Sequence, residues 1–396
     1  MSKLPLDLCC GCAACCSICP TSAIQMLPNQ EGFLYPDVDM NKCVTCGLCE
    51  SVCPILCKPA VSETYTRCVV ARNVNEDVVE QSTSGGFVDA LVTYVLKEKN
   101  GYAAGVIYDE QFLPTHILTN SSEVAAGFRN SKYAQSSINT VFLEIRELLY
   151  LGEHVLFVGT PCQVAGLKSF LRKEYENLLT VDLVCRSIPS PKLWRKYLEW
   201  QEHKHRAKVK SVTCRKKTYG YHSGALEIAF DNGKRYAGSN RVDLYMKSFH
   251  HDICSRYSCY ECQFKTKHRC SDFTVFDSWY PQLVTVEPMR DDDRGYSNVL
   301  VHTPKGKGVL DSMENIWCID ADAEKMFEFT GGMESKSIVL PEARRLFYST
   351  LEADGFEHGV KQYIKVTALD RFIEGLKPVR MIMRMKFCKM NSFNGK

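Results

Sequence analysis

CCGCAACCSICP, residues 9–20, places six cysteines in twelve positions, and CVTCGLCESVCP, residues 43–54, repeats its underlying spacing. Cys9, Cys12, Cys15 and Cys19 precede Pro20, and Cys43, Cys46, Cys49 and Cys53 precede Pro54, so both runs read C-x2-C-x2-C-x3-C-P. Three thiolates two residues apart can hold three irons of a cubane from one loop, and the fourth iron needs a ligand from elsewhere. Zinc sites generally pair cysteines across a long spacer, which neither run does.

The doubled spacing is that of bacterial two-cluster ferredoxins, in which the fourth cysteine of each run ligates the other cluster. It assigns Cys9, Cys12, Cys15 and Cys53 to one 4Fe-4S cluster, and Cys43, Cys46, Cys49 and Cys19 to a second. Cross-ligation ties the halves together and supplies stability that a unit of about sixty residues lacks alone. Cys10 and Cys16 fall outside the pattern and read as small buried hydrophobes packed beside the clusters.

The rest of the composition narrows the class. The chain has 396 residues, 45% of them hydrophobic, enough for a sizeable core and more than one domain. A formal charge of +3, with no basic block before the C-terminus, gives no reason to expect a nucleic-acid partner. No apolar stretch is long enough to span a membrane. No apolar signal region follows the start, and 21 cysteines without one suit a reducing compartment better than a disulfide framework. A cytoplasmic protein using cysteine for metal or redox chemistry is expected.

After Cys57 the pattern changes. QSTSGGFVDALVTYVLKEKNG (81–101) predicts a helix, with Phe87, Leu91, Tyr94 and Val95 at helical spacing. Then YAAGVIYD and PTHILT read as strands, INTVFLEIRELLYLG as a helix, HVLFVGTPC as a strand and QVAGLKSFLRKEY as a helix. LLTVDLVC reads as another buried strand and KLWRKYLEWQEH as another helix, an alternation that predicts an α/β domain with a largely parallel sheet. No G-x-G-x-x-G or G-x-x-x-x-G-K-[ST] occurs in it. Cys162 and Cys185 each end a predicted strand, where open α/β sheets bind ligands, and Cys259 and Cys262 form a C-x2-C pair. Residues 208–240 predict a β excursion with a DNG turn, SNVLVHT a strand and KGKGVLDSMENI a helix, with helices from 319 onward.

Together, the doubled run, SGGF, SKYAQS, GTPCQVAGLK, DLVC before PSP, and CYEC before SDFTVFDSW resemble the family of coenzyme F420 hydrogenase/dehydrogenase beta subunits, from about residue 5 to 310. The resemblance implies FAD, and a third 4Fe-4S cluster held by Cys162, Cys185, Cys259 and Cys262. A local alternative, Cys254, Cys259, Cys262 and Cys270, stays open. The resemblance also places Ser84, Gly85, Gly86, Lys132, Tyr133 and Ser136 along the FAD site. Two departures bear on the substrate. Arg186-Ser187 stands where relatives commonly have His-Gly, and Phe276 stands before Asp277 where they commonly have Gly.

The expected fold is α/β, α+β overall: a two-cluster ferredoxin domain (1–60), two parts of an α/β flavin-binding region (65–205 and 206–318), and a mainly helical region with a basic tail (319–396). The expected function is an oxidoreductase passing electrons from ferredoxin or another redox subunit through the clusters to FAD. From there they reach a small organic two-electron acceptor, coenzyme F420 or an activated double bond, or flow in reverse. The alternative is an electron-transfer subunit whose active site is on another chain. No proton donor is singled out among Lys132, Tyr133, His222 and Asp277. Residues 365–396 hold eight Lys/Arg against Asp370 and Glu374, with Phe372, Met381, Met385 and Phe387 interleaved, a candidate contact for a membrane surface or an acidic partner. An oligomer is compatible with these features.

Overall fold

The computed structural model describes residues 4–379. Its two cysteine runs fold alike. Gly11 (φ +73°) and Ala13 (φ +64°) turn the first loop through left-handed backbone before helix Ala14–Ile18. Thr45 (φ +52°) and Gly47 (φ +74°) do the same before helix Leu48–Ser51. Those helices pack on one another. Between them lies an antiparallel hairpin of β1 (Ile24–Pro28) and β2 (Leu34–Val38).

The main sheet takes eight strands: β3 (Arg67–Asn73), β4 (Tyr102–Tyr108), β5 (Pro114–Thr119), β6 (Val155–Gly159), β7 (Leu178–Leu183), and then β11 (Phe273–Ser278), β12 (Tyr296–Val301) and β13 (Ile316–Asp320). Between β7 and β11, the strands β8 (Val209–Lys216), β9 (Ala225–Phe230) and β10 (Arg235–Gly238) form a separate antiparallel sheet, as the DNG turn predicts.

The order of the large sheet is β13-β3-β12-β11-β7-β6-β4-β5. Its centre is parallel, with β4 on β6, β6 on β7 and β7 on β11. Helices 141–150 and 161–171 make crossovers there, and β6 is buried along its whole length, as a strand covered on both faces should be. The expected largely parallel sheet is therefore corrected to a mixed one, because the flanks pair antiparallel. The short connection from β4 to β5 can only return antiparallel. A second correction concerns residues 316–320. Placed at the edge of a helical region by sequence, they form β13 because β3 offers them an unpaired edge.

The carboxyl ends of β4, β6, β7 and β11 share one edge of the sheet. The N-terminal module docks beside that edge. Helix Pro161–Leu171 meets the first cysteine loop so closely that a Cβ at Gly166 would lie 2.7 Å from Cys12 Cβ.

The C-terminal helix Arg344–Tyr363, broken at Gly355 (φ +74°), clamps the module from the other side. The fully buried Arg344 guanidinium takes both Glu31 oxygens, at 2.8 and 2.6 Å, and donates to the Ser255 carbonyl at 2.9 Å. Removing one partner of a buried pair strands the other charge. Arg344→Ala is therefore expected to cost about 3–5 kcal/mol, measured as a lowered denaturant midpoint of the loaded full chain.

The described part of the basic tail is docked: Asp370 bonds Lys247 at 2.8 Å and Glu374 bonds Ser239 at 2.6 Å. The remaining candidates, Met381, Met385, Phe387 and the basic residues from 380 onward, lie outside the described residues. Among the described residues, no helix is long and apolar enough to cross a membrane.

Candidate functional site

Cys9, Cys12 and Cys15 line one apolar space with Cys53, which comes from the other run, and with Met26 and Pro36. Burial pushes the Cys9, Cys12 and Cys15 thiols up. At Cys9 the Arg256 guanidinium pulls the other way. The second set lies nearer the surface, and Cys46 is exposed. Burial works weakly against the Cys19 thiolate, but hydrogen bonds from Thr21, Ala23 and Ile24 prevail and hold it below the usual thiol range.

Cys162, Cys185, Cys259 and Cys262 line a second shared space. They arrive from three separate stretches. Cys162 is not at a strand end as expected, because β6 stops at Gly159 and Cys162 sits in the first turn of helix 161–171, behind the capping Thr160. Cys185 follows β7 by two residues, and Cys259 closes a short turn over 257–259. Burial pushes the Cys185 thiol up to about 12 and raises Cys259 and Cys262 as well. The structure does not bring Cys254 or Cys270 to this space. Cys254 is buried among Tyr245, Phe249 and Tyr348, and Cys270 packs against a different part of the core. Among the described residues, no three His, Cys, Asp or Glu side chains converge on a single metal ion.

Cys10, Gly11 and Ile55 border both spaces. The Cys10 thiol hydrogen-bonds with Cys12 of one and Cys162 of the other. It thus joins the two sets, whereas Cys16 bonds the Ile24 carbonyl at 3.0 Å and fits a packing role.

Arg256 is the residue sequence reasoning missed. Its side chain is fully buried. Nε donates to the Cys9 carbonyl at 2.7 Å, and Nη1 donates to the Leu34 carbonyl at 3.0 Å and Gln135 Oε1 at 3.4 Å. Its guanidinium stacks 3.8 Å from the Tyr35 ring centroid. Nη2 has no partner, nor has Gln135 Nε2 beside it. A buried cation with an orphaned donor fits thiol sets that carry a net negative charge when an iron–sulfur group is bound. Nothing in the spacing around residue 256 marks it.

The six residues expected along a FAD site do not form one group. Ser84 Oγ meets Ser297 Oγ at 2.9 Å, and the Gly85 N–H donates to the same hydroxyl at 3.1 Å. A Cβ at Gly85 would come 2.5 Å from the Ala71 carbonyl, so close approach to the sheet requires glycine there, while Gly86 (φ +78°) caps helix 87–93. The Lys132 amine donates to the carbonyls of Arg129 (3.0 Å) and Asn130 (3.2 Å), and burial lowers it to about 8. Burial raises the Tyr133 hydroxyl against the pull of Arg215, and the Tyr133 carbonyl accepts from Tyr245. Ser136 instead borders the space lined by Cys162 and accepts from Gln163 Nε2 at 2.9 Å. Asp277 pairs with Arg215 at 3.0 Å and His222 with Asp291 at 2.7 Å. Arg215 Nη2, Ser278 Oγ and Asn298 Oδ1 are buried without partners at this edge, which fits a polar occupant.

Both departures have structural accounts. Arg186 borders the Cys162 space and forks onto Asp252 at 2.8 and 2.7 Å. Phe276 points into the core, stacked on Phe327.

A chain with paired cysteine runs and a third thiol-lined space at the sheet edge is, as a class, an iron–sulfur electron-transfer protein. Residues 8–57 match the 4Fe-4S dicluster domain. Residues 152–325, which contain Arg256 and all four thiols of the third set, belong to the family defined by the C-terminal part of the coenzyme F420 hydrogenase/dehydrogenase beta subunit. One of the subunits of an F420H2 dehydrogenase from Methanosarcina mazei is 22% identical over 187 residues, 45% of this chain and 53% of that protein. A coenzyme F420-dependent sulfite reductase from Methanocaldococcus jannaschii is 25% identical over 327 residues, 78% of this chain and 46% of that protein. The chain thus spans about half the length of these curated relatives. A chain in a solved structure of the F420-reducing [NiFe] hydrogenase complex from Methanosarcina barkeri is similar with a TM-score of 0.42 and 16% identity, over 75% of this chain and 91% of that one.

Proposed function

We propose that this chain is a flavin-dependent iron–sulfur oxidoreductase linking a one-electron partner, ferredoxin or another redox subunit, to an organic two-electron acceptor. The acceptor class is a deazaflavin such as coenzyme F420 or an activated double bond. One observation carries the reading: Cys162, Cys185, Cys259 and Cys262 line a single space that meets the Cys9/Cys12/Cys15/Cys53 space at Cys10. When bound, iron–sulfur clusters supply one-electron steps and a flavin converts them to two-electron chemistry.

The chain's own residues do the holding and shielding. The cysteine loops would ligate three clusters, with Cys19 and Cys53 exchanged between the first two. Helix 161–171 presents Cys162 through its Thr160–Gln163 cap. The 84–86 turn, Tyr133 and the Arg215–Asp277 pair stand at the polar edge where a flavin would lie.

A second reading, an electron-transfer subunit serving an active site on another chain, is favoured by the similarity to one subunit of a dehydrogenase. The two separate on the iron and flavin content of the anaerobically purified full chain. About twelve irons and one FAD are expected. Clusters without flavin, and no reduction of a small acceptor, would leave only the second reading.

A further inference from the structure

A guanidinium buried without an anion is costly, and folds retain one where the opposite charge arrives with a ligand. No carboxylate among the described residues pairs with Arg256; its partners are two carbonyls and an amide. It lies between two thiol sets, and its charge bears on Cys9 in one and Cys162 in the other. It is also fixed in place. The Tyr35 ring covers its face at 3.8 Å, and a Cβ at Gly11 would come 3.3 Å from Nη1. The set of Cys19, Cys43, Cys46 and Cys49 lies farther out, with Cys46 exposed.

We propose that Arg256 raises the reduction potential of the centre held by Cys9, Cys12, Cys15 and Cys53, making it the resting station for electrons arriving from the outer centre. This rests on the cluster assignment above. Gaining an electron makes a thiolate-bound centre more negative, and burial alone disfavours that, so the inward step would otherwise run uphill. A fixed cation at the Cys9 loop favours the reduced form and offsets the burial. In the step itself, one electron is lost by the outer centre and gained by the inner one, and no bond breaks. Arg256 is a positioning residue here; it ligates nothing.

Redox titrations of the anaerobically purified full chain, followed by electron paramagnetic resonance, test this with three variants. Arg256→Gln removes the charge and Arg256→Lys keeps it. Gln135→Glu leaves the guanidinium in place but sets a carboxylate against Nη1, since Gln135 Oε1 already accepts from it. Arg256→Gln and Gln135→Glu are expected to shift the oxidised-to-reduced ratio of one centre by about tenfold toward oxidised, about 59 mV for one electron. Arg256→Lys keeps most of the wild-type value, and the other centres stay put. If Arg256→Gln loses iron, the remaining two variants decide the matter. A Gln135→Glu titration superimposable on wild type, with full iron, overturns the proposal. A wild-type chain lacking 4Fe-4S signals overturns the cluster assignment instead, a distinguishable result.

Discussion

Cys162→Ser, purified without oxygen, should retain about eight of about twelve irons and lose one of three cluster signals. The expectation comes from convergence in space. Cys162 shares its space with Cys185, Cys259 and Cys262, although 23 or more residues separate it from each. Serine keeps the size of the side chain and the turn behind Thr160, so the loss should be of metal and not of fold. Cys185→Ser should behave alike. Cys270→Ser and Cys254→Ser are the controls, because neither thiol faces that space. Loss of iron in these controls, with Cys162→Ser unaffected, would return the ligand set to the local alternative.

Cys53→Ser should abolish the centre beside Arg256, although Cys53 belongs to the other run. Its side chain lines the space of Cys9, Cys12 and Cys15. The expected loss is again about four irons, and the surviving N-terminal signal should no longer respond to Gln135→Glu. Cys19→Ser should give the reciprocal result, sparing the Arg256-sensitive signal. If each run held its own cluster, the two outcomes would be exchanged. Iron analysis with cluster spectroscopy on both variants separates the two cases.

Much of the sheet was legible because its signals are local. VLFVG and LLTVDL are apolar runs that suit only a strand covered on both faces, and the 87–98 helix shows its period before a glycine stop. Strand direction was less legible. Whether β12 joins β11 antiparallel, or β3 slots between β12 and β13, depends on which edges are free when the chain comes together. Ser84–Gly86 looked like phosphate-binding residues and are engaged with Ser297 and the backbone of β3, contacts between partners 213 positions apart.

By itself the sequence determined the two ferredoxin-like runs, the alternation of strands and helices, and the suspicion attached to Cys162, Cys185, Cys259 and Cys262. All of these are properties of neighbours along the chain: ligand spacing, hydrophobic period, turn residues. Only the tertiary structure decided that Cys53 faces the first loop, that Cys10 joins two thiol sets, and that Arg256 lies buried between them without a carboxylate. Burial and charge pairing depend on what packs against a side chain, and for these residues the partners come from elsewhere in the sequence.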